Sequence, residues 1–353
     1  MIDVRSDRRA PHWLIMTRQA FVTGGTGYLG GRLNRALTED GWQVRALSRK
    51  GAPGVPDRIE IAEGDLSDPA RLAAQMRGCD TVFHCAALVA AWVPDERDYY
   101  RTNVDGLRNV MQACRDAGVS TLVYTSSFFA LGPSGGSGAD ETAPLSGKKL
   151  HPYQHSKLLA RIEADKALDA GFPVVILYPG VIYGPGAVTQ GNLVARLISD
   201  FLHHRIPGLL GDGRQLWSYA FIDDVVKGHL LALRRSPSGG EYVLGGDNVS
   251  LKDFFVLLAH CTGMKPPILR IPLRAGMALG GLQMWKDRLL GRAPALTPSS
   301  MRMMYLNWAC DSRKARRELG YSPRPLCEGL RATLLSMRSQ AGITPSATAD
   351  ECR

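Results

Sequence analysis

The run Gln19-Ala20-Phe21-Val22-Thr23-Gly24-Gly25-Thr26-Gly27-Tyr28-Leu29-Gly30 decides how the rest of the chain is read. Its first five residues are a short β-rich run, its middle is a glycine cluster, and its end opens the helical pattern Leu29-x-x-x-Leu33-x-x-x-Leu37. Strand, tight turn and helix are therefore expected in that order. The turn needs glycine because the backbone must bend sharply, approach a pyrophosphate with no Cβ in the way, and let the helix pack closely on the strand. A helix that starts there offers free N–H groups and the positive end of its dipole to the anion. Gly24, Gly27 and Gly30 match one dinucleotide-loop spacing, and Gly25, Gly27 and Gly30 match the other. The strand before and the helix after supply the context that a glycine motif lacks by itself.

Working outward, further strand runs lie at 43–47, up to Ile61, and at 81–84, 122–125 and 174–178, with helical patterns at 68–77, 103–117 and 155–170 between them. Apolar strands alternating with amphipathic helices predict an α/β fold, a doubly wound parallel sheet of Rossmann type covered on both faces. This nucleotide-binding domain is placed at 17–185. Beyond it come helical patterns at 190–204, 223–235 and 250–262 and a strand at 241–244. Parts of 215–265 are expected to complete the sheet, and 186–340 to form mainly a smaller substrate-binding lobe. Residues 1–16 read as a disordered extension without the features of a secretory signal, and 341–353 as a flexible tail.

The composition of the 353 residues, 45% hydrophobic and 22% charged, is that of a folded globular chain. Apolar runs fall short of the ~20 residues that span a bilayer. The seven cysteines are odd in number and form no CxxC pair. Free thiols in a reducing cytoplasm follow. The net charge of +10 is spread singly, and the denser group Arg313, Lys314, Arg316, Arg317 reads as a solvated helix face. Without a nucleic-acid-binding signature to accompany it, no nucleic-acid partner is expected.

Two places carry chemistry. After the second strand, where an acidic residue would take the ribose hydroxyls of NAD, the chain has Arg49 and Lys50. A carboxylate there would repel a 2′-phosphate and an arginine can pair with it, so NADP is expected rather than NAD. Further on, Tyr153 and Lys157 are four apart and share a helix face. A cation near a phenol favours the phenolate and eases proton exchange near neutral pH. Ser127 ends the fifth strand, at the carboxyl edge where open parallel sheets bind ligands, and can hold a carbonyl oxygen. His84, His151 and His155 lie nearby without a second ligand at metal spacing, and no metal is expected.

Taken together, T-G-G-T-G-Y-L-G (23–30), G-D-L (64–66), H-C-A-A (84–87), N-V-D-G (103–106), Y-T-S-S (124–127), Y-x-x-x-K (153–157), Y-P-G-V-I-Y-G-P-G (178–186) and F-I-D-D-V (221–225) resemble the extended short-chain dehydrogenase/reductase, or epimerase/dehydratase, family over residues 17 to about 335. The resemblance implies that Gly24, Gly27, Tyr28, Leu29 and Gly30 cradle the cofactor, that Asp65 and Leu66 contact its adenine, and that Ala86 and Ala87 line its channel. Pro179, Gly180, Val181 and Ile182 would border the nicotinamide, and Asn103 would support the active-site helix. It also implies that Ser127, Tyr153 and Lys157 interconvert a ketone and a secondary alcohol: Ser127 binds the oxygen, Tyr153 exchanges the proton, and Lys157 holds the ribose.

Within that family, nucleotide-sugar members carry an arginine where Trp217 stands and an asparagine where Val181 stands, and dehydratases carry acids where Phe128 and Phe129 follow Ser127. Each change replaces a polar contact by apolar surface, which suits a steroid, terpenoid or flavonoid-like substrate. The look is that of dihydroflavonol-reductase-like and 3β-hydroxysteroid-dehydrogenase-like members. The alternatives are a nucleotide-sugar epimerase or dehydratase, and a non-catalytic NADP-sensing regulator. A monomer or homodimer is expected. The stretch 269–290, with Trp285 among basic residues, reads as a substrate-lobe helix or as a peripheral membrane contact.

Overall fold

The computed structural model describes residues 18–49, 51, 56–145, 149–187, 192–294 and 296–340. Six parallel strands open the chain: β1 (Gln19–Thr23), β2 (Gln43–Ser48), β3 (Ile59–Glu63), β4 (Thr81–His84), β5 (Thr121–Thr125) and β6 (Val174–Pro179). Between them run α1 (Tyr28–Glu39), α2 (Pro69–Met76), α3 (Arg97–Tyr100), α4 (Gly106–Ala117) and α5 (Pro152–Asp169). Then follow β7 (Val181–Tyr183), α6 (Leu193–Leu202), β8 (Leu209–Leu210), β9 (Leu216–Phe221), α7 (Ile222–Arg235), β10 (Gly240–Leu244), β11 (Asp247–Ser250) and α8 (Leu251–Thr262). The chain goes on through β12 (Arg270–Ile271), α9 (Leu273–Leu289), α10 (Pro298–Met304), α11 (Arg313–Leu319) and α12 (Leu326–Gln340).

The main sheet has seven strands in the order β10-β6-β5-β4-β1-β2-β3, all parallel. It is the doubly wound α/β architecture expected. Strand residues alternate between two apolar layers. Phe21, Val82, Leu122, Tyr124 and Ile176 join α2, α4 and α5 on one face. On the other, Ala20, Val22, Phe83, Val123 and Leu177 pack with α1, α7 and α11. Both faces being buried, the strands read as continuous apolar runs. The order reverses between β1 and β4, and there Thr23 pairs with His84 at the carboxyl ends. Such a switch point is where an open α/β sheet leaves a crevice for ligands.

Of the residues 215–265, only β10 enters this sheet; β9 pairs instead with β7 and β11 in a three-stranded sheet, and β8 with β12 in a two-stranded one. β3 continues two residues past Ile61, carried by its ladder with β2. Residues 101–105, ahead of α4, are wound as a π-helix, a form common at functional sites. Asn103 lies in it.

Candidate active site

The turn after β1 is built without room for side chains. Gly24 has φ +71°, a left-handed conformation, and a Cβ on it would lie 2.7 Å from the backbone nitrogen of Ala86. A Cβ at Gly25 would meet that of Ala46 at 2.8 Å, and one at Gly30 would collide with the Gly24 carbonyl. Gly27 starts α1 with no side chain capping it, so the first-turn N–H groups are left for another acceptor. Tyr28 lays its ring against Gly184 and Gly186, on the far side of the crevice. A Cβ-free cradle at an uncapped helix start is what a pyrophosphate requires, and these residues fit a dinucleotide.

The other expected contacts are distributed around this floor. Ala86 donates its N–H to the Thr23 hydroxyl at 3.3 Å. Leu66 packs on Gly106, and its carbonyl takes the Asn109 amide at 2.7 Å. Asp65 accepts the N–H and hydroxyl of Ser67, which hold its carboxyl below the usual range, with Arg49 and Arg71 adding to the effect. Arg49 is thus near Asp65 at the exposed end of β2; Lys50 lies outside the described residues. Pro179 ends β6, Gly180 donates to the Leu244 carbonyl, and Val181 and Ile182 form β7. The Asn103 side chain is committed to protein: it accepts the Leu88 N–H at 2.8 Å and donates to Ser156 Oγ at 2.8 Å. It pins α5 and is a positioning residue.

Ser127, Tyr153 and Lys157 come together above the end of β5. Ser127 caps a short 3-10 turn, Phe128–Leu131, its Oγ accepting the Phe129 N–H at 3.3 Å, and its hydroxyl also meets the Tyr153 phenol. Tyr153 is in the first turn of α5 and donates its N–H to His151 Nδ1 at 3.1 Å. That contact makes Nδ1 the acceptor nitrogen, and Nε2 donates to the Ala91 carbonyl at 3.0 Å. The helix begins His151-Pro152, a cap followed by proline at the first helical position. Lys157 is buried, donates to the Thr125 carbonyl at 3.3 Å and lies 5.6 Å over the Tyr124 ring.

The electrostatics depart from the expectation that Lys157 lowers the Tyr153 pKa. Burial pushes the phenol up to about 12, with the Ser127 hydroxyl pulling the other way. Burial also pushes the Lys157 ammonium down to about 8. At neutral pH the lysine still carries its charge and Tyr153 keeps its phenolic proton. His84, stacked on Tyr124, is held down at about 3 by burial and by Lys157, and is neutral.

The three aromatic residues expected around the substrate divide into a face and a backing. Phe129 stands perpendicular to Tyr153, with ring centres 6.0 Å apart. Phe128 stacks on Phe129 at 4.2 Å, and Trp217 meets Phe129 at 6.0 Å. Both are almost wholly buried. Two residues not foreseen complete the wall. Trp308 packs on Phe129 at 4.6 Å, and Tyr99 tilts against Tyr153 at 6.3 Å. Trp308 is far away in sequence and arrives through a strand-like bridge to Trp217, so no local signal announces it. His151 had such a signal, the cap-proline pair.

A crevice that can hold a dinucleotide beside a proton donor is the equipment of an oxidoreductase, and the comparisons agree. The chain belongs to the NAD dependent epimerase/dehydratase family, whose model matches residues 20–245; the family uses a nicotinamide dinucleotide. It is 36% identical to the Synechocystis protein named "Putative dihydroflavonol 4-reductase", over 88% of this chain and 91% of that one. A second relative, 33% identical over 87% of this chain and 92% of its own, is the 4-hydroxy-2-methyl-3-oxo-4-farnesyl-3,4-dihydroquinoline-1-oxide ketoreductase of Stigmatella aurantiaca. Among solved structures, gox2253 superposes with a TM-score of 0.78 at 31% identity, covering 93% of this chain and 100% of that chain. MoeE5 in complex with UDP-glucuronic acid and NAD gives a TM-score of 0.72 at 26% identity, covering 91% of this chain and 99% of its own.

Proposed function

We propose that this chain is an NADP(H)-dependent oxidoreductase interconverting a ketone and a secondary alcohol on a largely apolar, ring-bearing small molecule. The observation that carries the substrate class is the aromatic wall: Phe129 faces Tyr153 edge to face, with Phe128, Trp217 and Trp308 packed behind it. A ring or isoprenoid surface gains apolar and edge-on contacts there, whereas a diphosphate set against these rings would lose hydration. The Stigmatella ketoreductase, which by its name acts on a farnesylated quinoline, supports this reading.

A bound nicotinamide dinucleotide supplies or accepts hydride at the substrate carbon. Tyr153 donates its phenolic proton to the ketone oxygen, and Ser127, whose Oγ accepts the Phe129 N–H and whose hydroxyl meets the Tyr153 phenol, donates its own proton to the same oxygen. Lys157, which donates to the Thr125 carbonyl, would hold the ribose, and negative charge brought near it would raise its pKa and strengthen the cation that favours the tyrosinate. Free thiols at six described cysteines support a reducing, cytoplasmic setting.

MoeE5, solved with UDP-glucuronic acid, keeps a nucleotide-sugar substrate as the rival. Calorimetric titration of the NADPH-loaded protein decides between them, with a steroid and a dihydroflavonol in one arm and UDP-glucose, UDP-glucuronic acid and dTDP-glucose in the other. Binding is expected in the first arm only. Micromolar binding of a nucleotide sugar with silence from the lipophilic ligands would overturn the substrate class.

The preference for NADP rests on Arg49. Arg49→Ala should raise the dissociation constant of NADPH roughly tenfold to a hundredfold, the loss of one charge-assisted contact worth ~1.5–3 kcal/mol, and leave NADH binding nearly unchanged. Equal weakening of both cofactors, or tighter NADH binding by the parent, would remove the assignment.

A further inference from the structure

We propose that α9 and the segment leading into it form a docking surface for an anionic lipid bilayer. The helix is inside out for a globular protein. Its buried face is small: a Cβ at Gly276 would collide with the Tyr305 hydroxyl, and one at Gly280 would lie 2.8 Å from Met301 Cγ. Its large residues point away. Leu282 and Trp285 are each 62% exposed and Leu289 is 66% exposed, and with Ala275 and Ala278 they recur at the spacing of a single helical stripe. Ile268 and Leu269, just before β12, are exposed as well. Of the fourteen large apolar side chains exposed among the described residues, nine fall between 268 and 296. A cluster of that kind marks an interaction site.

Charge says what covers it. Residues 265–292 carry six basic side chains, Lys265, Arg270, Arg274, Lys286, Arg288 and Arg292, all exposed. Their one acidic residue, Asp287, is buried and accepts the Gln283 amide at 2.9 Å. A second copy seated across a two-fold axis would set these cations against themselves. Anionic headgroups around an apolar stripe complement both features, as in interfacial helices that lie in the plane of the membrane. Among the described residues no helix is long and apolar enough to cross it. The surface also adjoins the catalytic end. The Arg288 guanidinium lies 5.4 Å over the Trp92 ring, and the neighbouring Ala91 carbonyl holds the His151 that caps α5. A docked α9 brings the loop beside Tyr153 toward the bilayer, where apolar ketones and alcohols collect.

Co-sedimentation of the full chain with phosphatidylcholine vesicles, with or without about one-third phosphatidylserine, tests this without turnover, so it stands or falls apart from the catalytic reading. Binding is expected only with phosphatidylserine, and is weakened as salt rises from about 0.1 M to about 0.5 M. The emission lost in Trp285→Phe should be blue-shifted by those vesicles. Leu282→Glu with Trp285→Glu, and separately Lys286→Glu with Arg292→Glu, should each cut binding by at least roughly tenfold while melting and NADPH affinity hold. Equal sedimentation of parent and variants, indifference to phosphatidylserine, or a concentration-dependent dimer that the same variants dissolve without any vesicle binding would overturn the proposal.

Discussion

Tyr153→Phe will bind NADPH as the parent does and turn over about 10²–10⁴-fold more slowly, because it lacks only the proton that reaches the substrate oxygen. The phenylalanine ring keeps the contacts with Phe129 and Tyr99, and the backbone N–H still meets His151, so the fold has no reason to change. Single-turnover measurements at saturating NADPH read the loss directly, free of product release. The affected quantity should be the rate of the chemical step and not the apparent affinity for either ligand. A variant that keeps near-parental turnover would take Tyr153 out of the chemistry and return the site to a binding role, the reading in which the chain senses NADP without using it.

Lys157→Met should be inactive and more stable. Burial lowers the Lys157 pKa from 10.5 to about 8, so folding has to bury a charge that solvent would stabilise. The sign follows from proton counts. Below about pH 8 both folded and unfolded chains hold this proton, and the folded chain bears the whole penalty. Between about pH 8 and 10.5 the folded lysine is neutral while the unfolded one still binds its proton, so the parent gains stability as pH rises through that window. Methionine has a similar reach and no charge. At pH 7, with no dinucleotide present, it should add about 2 kcal/mol, which is the shift of roughly 3 kcal/mol less the hydrogen bond to the Thr125 carbonyl. Urea unfolding at pH 7 and again near pH 10 measures the gap, expected to be wide at the first and nearly closed at the second. Lower stability at pH 7, or a gap indifferent to pH, would mean that Lys157 is not the buried charge described. Turnover should fall by about 10² or more in either case, since both the ribose partner and the cation that favours the tyrosinate are gone.

The two variants separate what was legible from what was not. The glycine turn, the parallel sheet and the Tyr153–Lys157 spacing could be read from the chain because each is a local matter: backbone freedom at Gly24, apolar runs flanked by amphipathic helices, and a four-residue step along α5. Burial could not be read in that way. Four residues apart on a helix, an ammonium looks like the partner of the phenol, and only the whole fold shows that both are buried, which pushes the Tyr153 phenol up and the Lys157 ammonium down.

The amino-acid order alone determined the class of fold, the dinucleotide crevice at the end of β1 and the proton-bearing helix, since these depend on residues within a turn or two of one another. Tertiary structure decided everything that needs distant segments to meet. Trp308 comes beside Phe129 only because residues far along the chain bridge to Trp217. Asn103 reaches Ser156 from a π-helical turn, and β9 leaves the main sheet for the one formed with β7 and β11. The outward face of α9 belongs with these. Its periodicity is ordinary, and what turns Leu282, Trp285 and Leu289 toward solvent is that Tyr305 and Met301, from elsewhere in the chain, can approach closely only where Gly276 and Gly280 leave no Cβ.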